Sequence, residues 1–354
     1  MGMPSIQISF TELAASAVKR GERGIIAMIL KDKKVPSVNP VVCASNADVP
    51  TSLSADNKEQ IKLALAGYVN TPTKVIAYVL PEDAADYTEA LNYLKTVKFN
   101  YLVVPTAETD AMTLEIVNYV KTERAAKKLI KAVLPNTTGN DEGIINFATE
   151  KVYVNDKEYT TEQYCARIAG IIAGTPLSIS CTYAPVAELT DCTRLTKAEM
   201  DEAVDAGKLI VWFDGEKVKT ARGVNSLTTL TSDKNTQFQK IKIVDAMDMI
   251  SDDIRMTAED NYIGKYANSY DNKCLLISAI GNYFDTLITD SVIQSYDIAI
   301  DIEANRKYLK EKGKDVDKMT EDEIKMAATG SFVYLTCKLS ILDAIEDIIL
   351  PISI

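Results

Sequence analysis

The sequence of 354 residues contains no histidine. Catalytic triads with a histidine base, histidine zinc sites and imidazole proton shuttles are therefore excluded. Aspartate, glutamate, lysine, cysteine and tyrosine are still available for acid–base chemistry.

Cysteine is sparse, and no two cysteines have the C-x-x-C spacing of a zinc ribbon or a redox dithiol. The six residues are Cys43, Cys165, Cys181, Cys192, Cys274 and Cys337. Most lie among apolar neighbours, where a free cysteine behaves as a small buried hydrophobic residue. This usage suits a reducing cytoplasm.

Long hydrophobic runs and a basic charge balance are also missing. No run approaches the ~20 apolar residues of a transmembrane helix, and the first residues lack the basic and then apolar layout of a secretion signal. The net charge is −11 and the pI is near 4.8. We therefore expect neither nucleic-acid binding nor membrane insertion.

Short apolar runs alternate with amphipathic segments in the first part of the chain. The apolar runs predict buried strands at residues 24–30, 73–80, 99–104 and 129–134. The amphipathic segments predict helices at residues 54–66, 83–97 and 109–124. Continuous apolar strands between such helices indicate a mainly parallel sheet covered on both faces. We predict an α/β domain over residues 24–194.

A second unit begins near residue 195. Thr196 and Glu199 have the spacing of a capping box, which starts a helix. Further on, two long helices are predicted at residues 237–260 and 271–292. Two strands are predicted at residues 296–302 and 332–342. We predict an α+β domain over residues 195–341.

Both ends of the chain have the alternating pattern of a strand. The apolar residues that share a face are Ile6, Ile8 and Phe10 near the start and Ile348, Leu350, Ile352 and Ile354 at the end. Neither strand has a hairpin partner beside it, so its edges are covered by the chain's own sheet or recruit another chain. We predict the second case, with an N-terminal strand arm and hinge over residues 1–23 and a C-terminal strand arm over residues 342–354.

Two segments resemble binding sites without completing the pattern. Residues 170–175 are rich in glycine but lack the Gly-Lys-Ser/Thr ending of a phosphate loop, so we interpret them as small residues on a packing face. Asp245, Asp248, Asp252 and Asp253 have a helical spacing that could gather a metal ion, but we interpret them as a solvated acidic face. We predict no catalytic, cofactor-binding or metal-binding residue, and no cofactor.

Residues 211–230, VWFDGEKVKTARGVNSLTTL, resemble the signature of contractile tail sheath proteins of phages, defective prophages and R-type bacteriocins. The family's R-G-[VI]-N-[ST] stretch corresponds to Arg222, Gly223, Val224, Asn225 and Ser226. In that family a short hairpin precedes this stretch, and residues 175–178 resemble the segment before the hairpin. Residues 20–24 precede the first core strand, as in the Gram-positive branch of the family. The likeness extends to the compact sheath proteins of clostridial bacteriocins of the diffocin kind.

The resemblance implies a structural role and not an enzymatic one. Such subunits form six-fold rings that stack helically around an inner tail tube, and their terminal arms pair with strands of neighbours. The sheath contracts and drives the tube through a cell envelope. The resemblance also implies baseplate and terminator proteins as partners, with assembly in the bacterial cytoplasm before release in a phage-tail-like particle.

The resemblance places the C-terminal domain inside, against the tube, and the α/β domain outside. Lys240, Lys242 and Arg255 are our candidates for contact with the tube, because they are locally basic in an acidic chain.

Two alternatives follow from the same residues. An α/β enzyme could hold a carboxylate- or lysine-based site at the carboxyl ends of its parallel strands. A monomeric binding module would keep both end strands inside its own sheet. Particle size distinguishes them, because a sheath protein forms long tubes whereas an enzyme forms a small closed oligomer.

Overall fold

The structure is a computed structural model that describes residues 18, 20, 21 and 23–353. The predicted N-terminal strand with Ile6, Ile8 and Phe10 lies outside the described residues, as does Ile354. Contacts divide the chain into two units. Of the described residues, the sheet unit comprises residues 21, 23–250 and 342–353, and the ribbon unit comprises Ser251–Ile341 with Val18 and Arg20.

The strands and helices are numbered in chain order. The strands are β1 Ile25–Asp32, β2 Val41–Cys43, β3 Lys74–Pro81, β4 Tyr101–Val103, β5 Lys131–Pro135, β6 Ile144–Phe147, β7 Lys151–Val154, β8 Lys157–Thr160, β9 Asp191–Cys192, β10 Lys208–Leu209, β11 Val211–Phe213, β12 Val218–Thr220, β13 Ile293–Ile300 and β14 Leu335–Ile341. The α-helices are α1 Ala55–Leu65, α2 Thr88–Leu94, α3 Thr113–Ala125, α4 Thr161–Ala173, α5 Lys197–Asp205, α6 Ile241–Asn261, α7 Tyr270–Thr289, α8 Ile302–Glu311 and α9 Glu321–Met326. None of these helices is long and apolar enough to cross a bilayer.

The sheet unit is built on a seven-stranded sheet in the order β10-β6-β5-β4-β1-β3-β2. All neighbouring pairs are parallel except β2 and β3. Alternate residues of β1 enter two different cores: Ile26 and Met28 pack on the side of α1 and α4, and Ala27 and Ile29 on the side of α2 and α3. The predicted mainly parallel sheet with both faces covered is confirmed.

Helix α4 is the central helix of this unit, and nearly all of its residues are buried. Thr160 and Gln163 form a capping box at its start. A Cβ atom on Gly170 would lie 2.3 Å from the carbonyl oxygen of Ala64 in α1, so only glycine permits this close approach of the two helices. The interpretation of this glycine-rich stretch as a packing face is confirmed.

The sheet unit continues well beyond residue 194, where the sequence suggested a boundary. Strand β10 pairs with β6 and extends the large sheet, and Val211 and Val218 of the β11–β12 hairpin enter its core. The two units instead divide within α6, between Ile250 and Ser251. The physical reason is this strand pairing over a long sequence distance, which local periodicity does not reveal.

The ribbon unit contains the second half of α6, helices α7 to α9 and an antiparallel pair of strands, β13 and β14. Phe284 of α7 packs against Tyr296 of β13 with ring centroids 5.0 Å apart. A small core of Leu309, Val316 and Ile324 joins α8 to α9. Helix α8 starts directly after β13, where the Asp301 side chain accepts from the Ala304 N–H and caps it.

Candidate functional site

The chain ends in an apolar segment that is exposed in the single subunit. After β14, residues 342–353 form no hydrogen-bonded strand. The exposed fractions are 82% for Ile348, 93% for Ile349, 73% for Leu350 and 77% for Ile352. A contiguous run of large apolar side chains in water marks a surface that another molecule covers.

The start of this segment, by contrast, is held firmly by the sheet unit. The side chain of Glu346 is only 6% exposed. Its Oε1 accepts hydrogen bonds from the hydroxyls of Thr182 at 2.5 Å and Ser180 at 3.4 Å. Its Oε2 lies 3.4 Å from Lys240 Nζ and 3.8 Å from Arg222 Nε. Two hydroxyls and two cations therefore surround one carboxylate.

Helix α6 and the residue before it supply two lysines to the same segment. Lys240 also forms an ion pair with Asp343, and Lys242 Nζ donates to the carbonyl oxygen of Leu342 at 2.6 Å. Burial lowers the pKa of Lys242 below its ordinary value. Burial would also lower the pKa of Lys240, but Asp343 and Glu346 outweigh it and raise that pKa. We call the contacts of residues 342–347 with Thr182, Arg222, Lys240 and Lys242 the C-terminal clamp.

The family-like motif Arg222–Ser226 lies at this clamp and joins it to the core. Arg222 Nη2 donates to Asp347 Oδ1 at 2.6 Å. The Gly223 N–H donates to Thr182 Oγ1 at 2.9 Å, and the Thr182 hydroxyl donates in turn to Glu346.

The last three residues of the motif face inward. Val224 is buried and forms an isolated bridge with Lys240. Asn225 is 1% exposed and donates from Nδ2 to the carbonyl oxygen of Phe238 at 2.7 Å. Ser226 is also 1% exposed, and its N–H donates to the carbonyl oxygen of Ile144 in β6 at 2.8 Å. The motif therefore ties the large sheet to the start of α6.

The ribbon of β13 and β14 is a second candidate for contact with other chains. Among the described residues the two strands pair only with each other. Thr336, Cys337 and Lys338 in the middle of β14 are exposed. Each strand therefore has one edge without a described neighbour, and two strands alone form a marginally stable sheet.

Three of the four aspartates grouped by their spacing on α6 are buried, and the interpretation of all four as a solvated face is wrong. Asp245 Oδ2 accepts from Tyr101 at 2.5 Å and from Arg23 at 3.0 Å. Asp248 pairs with Lys131 at 2.6 Å and with Arg124 at 2.9 Å. These carboxylates bind cations from β5, α3 and the chain before β1, which no local pattern relates to α6.

Of the remaining two, Asp253 is also buried and accepts from Tyr283 at 2.8 Å. Asp252 alone fits the earlier interpretation, since it is half-buried and pairs with the exposed Arg255. No cluster with the composition of a metal site occurs among the described residues.

A carboxylate near the carboxyl edge of the large sheet, where an α/β enzyme would bind its substrate, is paired with the chain's own side chains. Asp110 lies 3.0 Å from Lys31 and accepts from Thr106 at 2.8 Å and from Tyr87. Burial would raise the pKa of Asp110, but the hydrogen bonds from Tyr87 and Lys31 lower it below its ordinary value. This carboxylate is paired and charged, and is therefore unsuited to act as a proton donor near neutral pH.

The structure separates the predicted site residues into two groups. Ile348, Leu350 and Ile352 are exposed together, as an arm would require, while the motif residues lie beside the clamp. Lys240 and Lys242 contact the C-terminal segment, and Arg255 pairs with Asp252 and Glu259. Contact of these three cations with a tube stays a prediction.

Sequence reasoning missed Thr182, Asp343 and Glu346, which complete the clamp. The only sequence signal was that Asp343 and Glu346 lie within the predicted C-terminal strand arm, residues 342–354. Thr182 lies 164 residues before it, so no spacing rule connects the two.

Comparison with known proteins gives a consistent picture. Residues 82–226 match the family described as phage tail sheath protein central domain, and residues 233–354 match the phage tail sheath C-terminal domain. A tail sheath protein of Clostridium phage phiCD119 is 42% identical over 98% of each chain.

Solved structures share the fold at lower identity. A sheath tail protein from Desulfitobacterium hafniense matches with a TM-score of 0.70 and 19% identity, over 84% of this chain and 94% of its own. The helical sheath of the anti-feeding prophage in its contracted state matches with a TM-score of 0.72 and 14% identity, over 100% of this chain and 99% of its own. The chain therefore belongs to the phage tail sheath protein family.

Proposed function

We propose that this chain is a structural, non-enzymatic subunit that polymerises into a sheath by exchanging strands between subunits. The observation that carries the proposal is the exposed apolar run after Asp347, whose four large side chains are 73–93% exposed. At ~25 cal/mol per Å² of apolar area, covering them with a neighbour stabilises each contact substantially. A side-by-side strand also satisfies the backbone groups of this segment.

Pro351 restricts how the arm can pair. Within a strand, residues 348, 350 and 352 direct their backbone groups to one side, and residues 349, 351 and 353 direct theirs to the other. Because proline has no N–H, the second side cannot form a regular ladder. The arm is therefore proposed as an edge strand that pairs through the backbone of residues 348, 350 and 352.

The proposed acceptor is the β13–β14 ribbon of a neighbouring subunit. Two strands alone are marginally stable, and a third strand on a free edge would strengthen the sheet. The N-terminal arm, with Ile6, Ile8 and Phe10, is proposed to pair in the same manner with another neighbour. Backbone pairing would set the register of the assembly while the connecting segments let the bodies rotate.

On this basis we infer six-fold rings that stack helically around an inner tail tube. Contraction would be a change between two packings of the same subunits, in which the contracted state buries more surface. The tube, baseplate and terminator proteins are the proposed partners. Assembly is proposed to occur in the bacterial cytoplasm, before release of a phage-tail-like particle.

Contact with the tube is proposed for the C-terminal domain, with the α/β domain outside. Among the three candidate cations, Arg255 has the most exposed side chain, at 44%. Lys240 and Lys242 would have to leave the C-terminal segment to reach a tube, so we rank them behind Arg255. Unchanged tube binding by an Arg255→Glu variant would remove this assignment.

Truncation tests the arm. A chain that ends at Asp347 is expected to remain a folded monomer, because Ile348, Ile349, Leu350 and Ile352 are exposed in the single subunit. Deletion of residues 1–10 is expected to have the same effect on assembly. Circular dichroism measures folding, and sedimentation with negative-stain microscopy measures tubes.

The full-length chain under identical conditions is the control. Tubes of normal order from either shortened chain would show that the arms are not the connecting elements.

A further inference from the structure

We propose that Glu346 is the positioning residue of the C-terminal arm: the C-terminal clamp holds the chain up to Asp347, and the exchangeable arm begins at Ile348. This inference rests on the proposed strand exchange and says where the arm is fixed. It also assigns a role to the family-like motif, since Arg222 and Gly223 build the clamp.

The first support is the change in environment between two adjacent parts of the chain. The Glu346 side chain is 6% exposed, whereas the Ile348 residue is 82% exposed. Asp347 lies between them, with a side chain that is 72% exposed and a single ion pair to Arg222. Ile345 inside the clamp is also exposed, at 88%, so the hold is made by the contacts of Leu342, Asp343, Glu346 and Asp347 and not by burial of the whole segment.

The second support is that the groups contacting Glu346 are themselves fixed by hydrogen bonds and close packing. The Thr182 hydroxyl accepts a hydrogen bond from the Gly223 N–H and donates one to Glu346, so it acts as acceptor and donor at once. A Cβ atom on Gly223 would lie 2.8 Å from Cys181 Sγ, which leaves no space for a side chain at this point of the motif. The groups that meet Glu346 are thus held by the packed core and not by a loose surface.

The third support concerns direction. Strand β14 belongs to the ribbon unit, and the chain enters the sheet unit at Leu342. At that point Lys242 donates to the Leu342 carbonyl oxygen and Lys240 pairs with Asp343. Tension on an arm bound by a neighbour would therefore reach α6 and the large sheet through Glu346, before it reached β14. Fixing the start of the arm also reduces the conformational entropy that is lost when the arm binds.

The experiment is limited digestion of full-length monomer with thermolysin, which cleaves before large apolar residues, with the products mapped by mass spectrometry. In the wild type, cleavage should stop after removal of residues 348–354. In Glu346→Ala, cleavage before Ile345 and Leu342 should become about tenfold faster, since a hydrogen bond to a charged group stabilises by at least that factor. The variant should also form fewer and less ordered tubes.

Asp201→Ala in α5 is the matched control, because it removes a carboxylate outside the clamp whose ion pair, to Lys197, is exposed. It should digest and assemble like the wild type. Lys240→Gln removes a cation that contacts both Asp343 and Glu346, and it should also make cleavage before Ile345 and Leu342 faster. This second variant tests the clamp even if Glu346→Ala does not fold.

Two results would overturn the inference. One is a Glu346→Ala digestion pattern equal to that of the wild type. The other is faster cleavage before Ile345 together with normal tubes, which would mean that the clamp does not position the arm. Failure of the strand exchange itself is a different result, namely tubes from the chain that ends at Asp347.

Discussion

At the scale of single residues, Asp248 illustrates how charge is stabilised inside this protein. Its carboxylate binds Lys131 at 2.6 Å and Arg124 at 2.9 Å, and Lys131 also lies 3.1 Å from Asp245. Buried charges are tolerated when they are paired on several sides, and removal of one partner leaves the others uncompensated. The cluster connects α6 with α3 and β5 in the sheet unit.

We expect Asp248→Asn to lower the free energy of unfolding by about 3 kcal/mol, because it leaves two buried cations short of one anion. Asp252→Asn on the same helix is the control, with an expected change of roughly 0–0.5 kcal/mol, because its partner Arg255 is exposed. Urea denaturation followed by circular dichroism measures both. Equal losses in the two variants would contradict the assignment of a buried ionic cluster.

The same carboxylate makes stability depend on pH. Burial would raise the pKa of Asp248, but Lys131 and Arg124 outweigh it and the pKa lies below its ordinary value. A lowered folded pKa means that the stabilisation is fully present above the unfolded value of about 3.9 and is lost as the pH falls through the folded pKa. The wild type should therefore lose more stability than Asp248→Asn between about pH 5 and about pH 3. Parallel losses would argue against the ion pairs.

At the scale of elements, the contact between α1 and α4 depends on a missing side chain. Gly170 brings the backbones of the two helices together, and a Cβ atom there would lie 2.3 Å from Ala64 O. Backbone atoms cannot move aside as a flexible side chain can, so overpacking at this point is costly.

We expect Gly170→Ala to destabilise the protein by about 2 kcal/mol, although alanine is the better helix former. Gly281→Ala in α7 is the matched control, because the nearest atom to its added Cβ is the Tyr296 hydroxyl oxygen at 3.2 Å, at the end of a flexible side chain. The control should be neutral or gain up to about 1 kcal/mol from helix propensity. Thermal and urea unfolding of both variants test this, and a harmless Gly170→Ala would mean that the helices separate easily.

Most elements of the sheet unit follow from local patterns. The predicted strands at residues 24–30 and 73–80 correspond to β1 and β3, and the helix at residues 54–66 to α1. These succeed because a strand buried on both faces is apolar throughout and a covering helix is apolar on one side. Strand β10 has two residues, too few to produce a periodic signal, so the sequence did not show that the sheet unit continues past residue 194.

At the scale of the whole molecule, the proposed arm would make an acidic subunit a component of a polymer. The net charge of −11 keeps free subunits apart, while the apolar tail favours specific contact. The predicted alternation places Ile348 and Ile352 on one face of the arm and Ile349 on the other.

Substitutions on the two faces should therefore differ. The double variant Ile348→Ser and Ile352→Ser should raise the concentration needed for tube formation by about a hundredfold, as the loss of ~1.5 kcal/mol of burial for each side chain predicts. Ile349→Ser should change it much less, and both proteins should fold normally because these side chains are exposed in the subunit. Light scattering against concentration measures the threshold. Equal effects on the two faces would contradict an arm that binds as a strand with one covered face.

The sequence by itself determined the alternation of strands and helices and the apolar tail, and the absence of histidine chemistry. These features depend on residues close together in the chain, whose spacing reflects which face is buried. The tertiary structure alone decided that Glu346 meets Thr182 and that Asp245 and Asp248 are buried among cations. Those contacts join residues more than 100 positions apart, and the burial of a charge is set by the partners that folding brings to it, which no local pattern encodes.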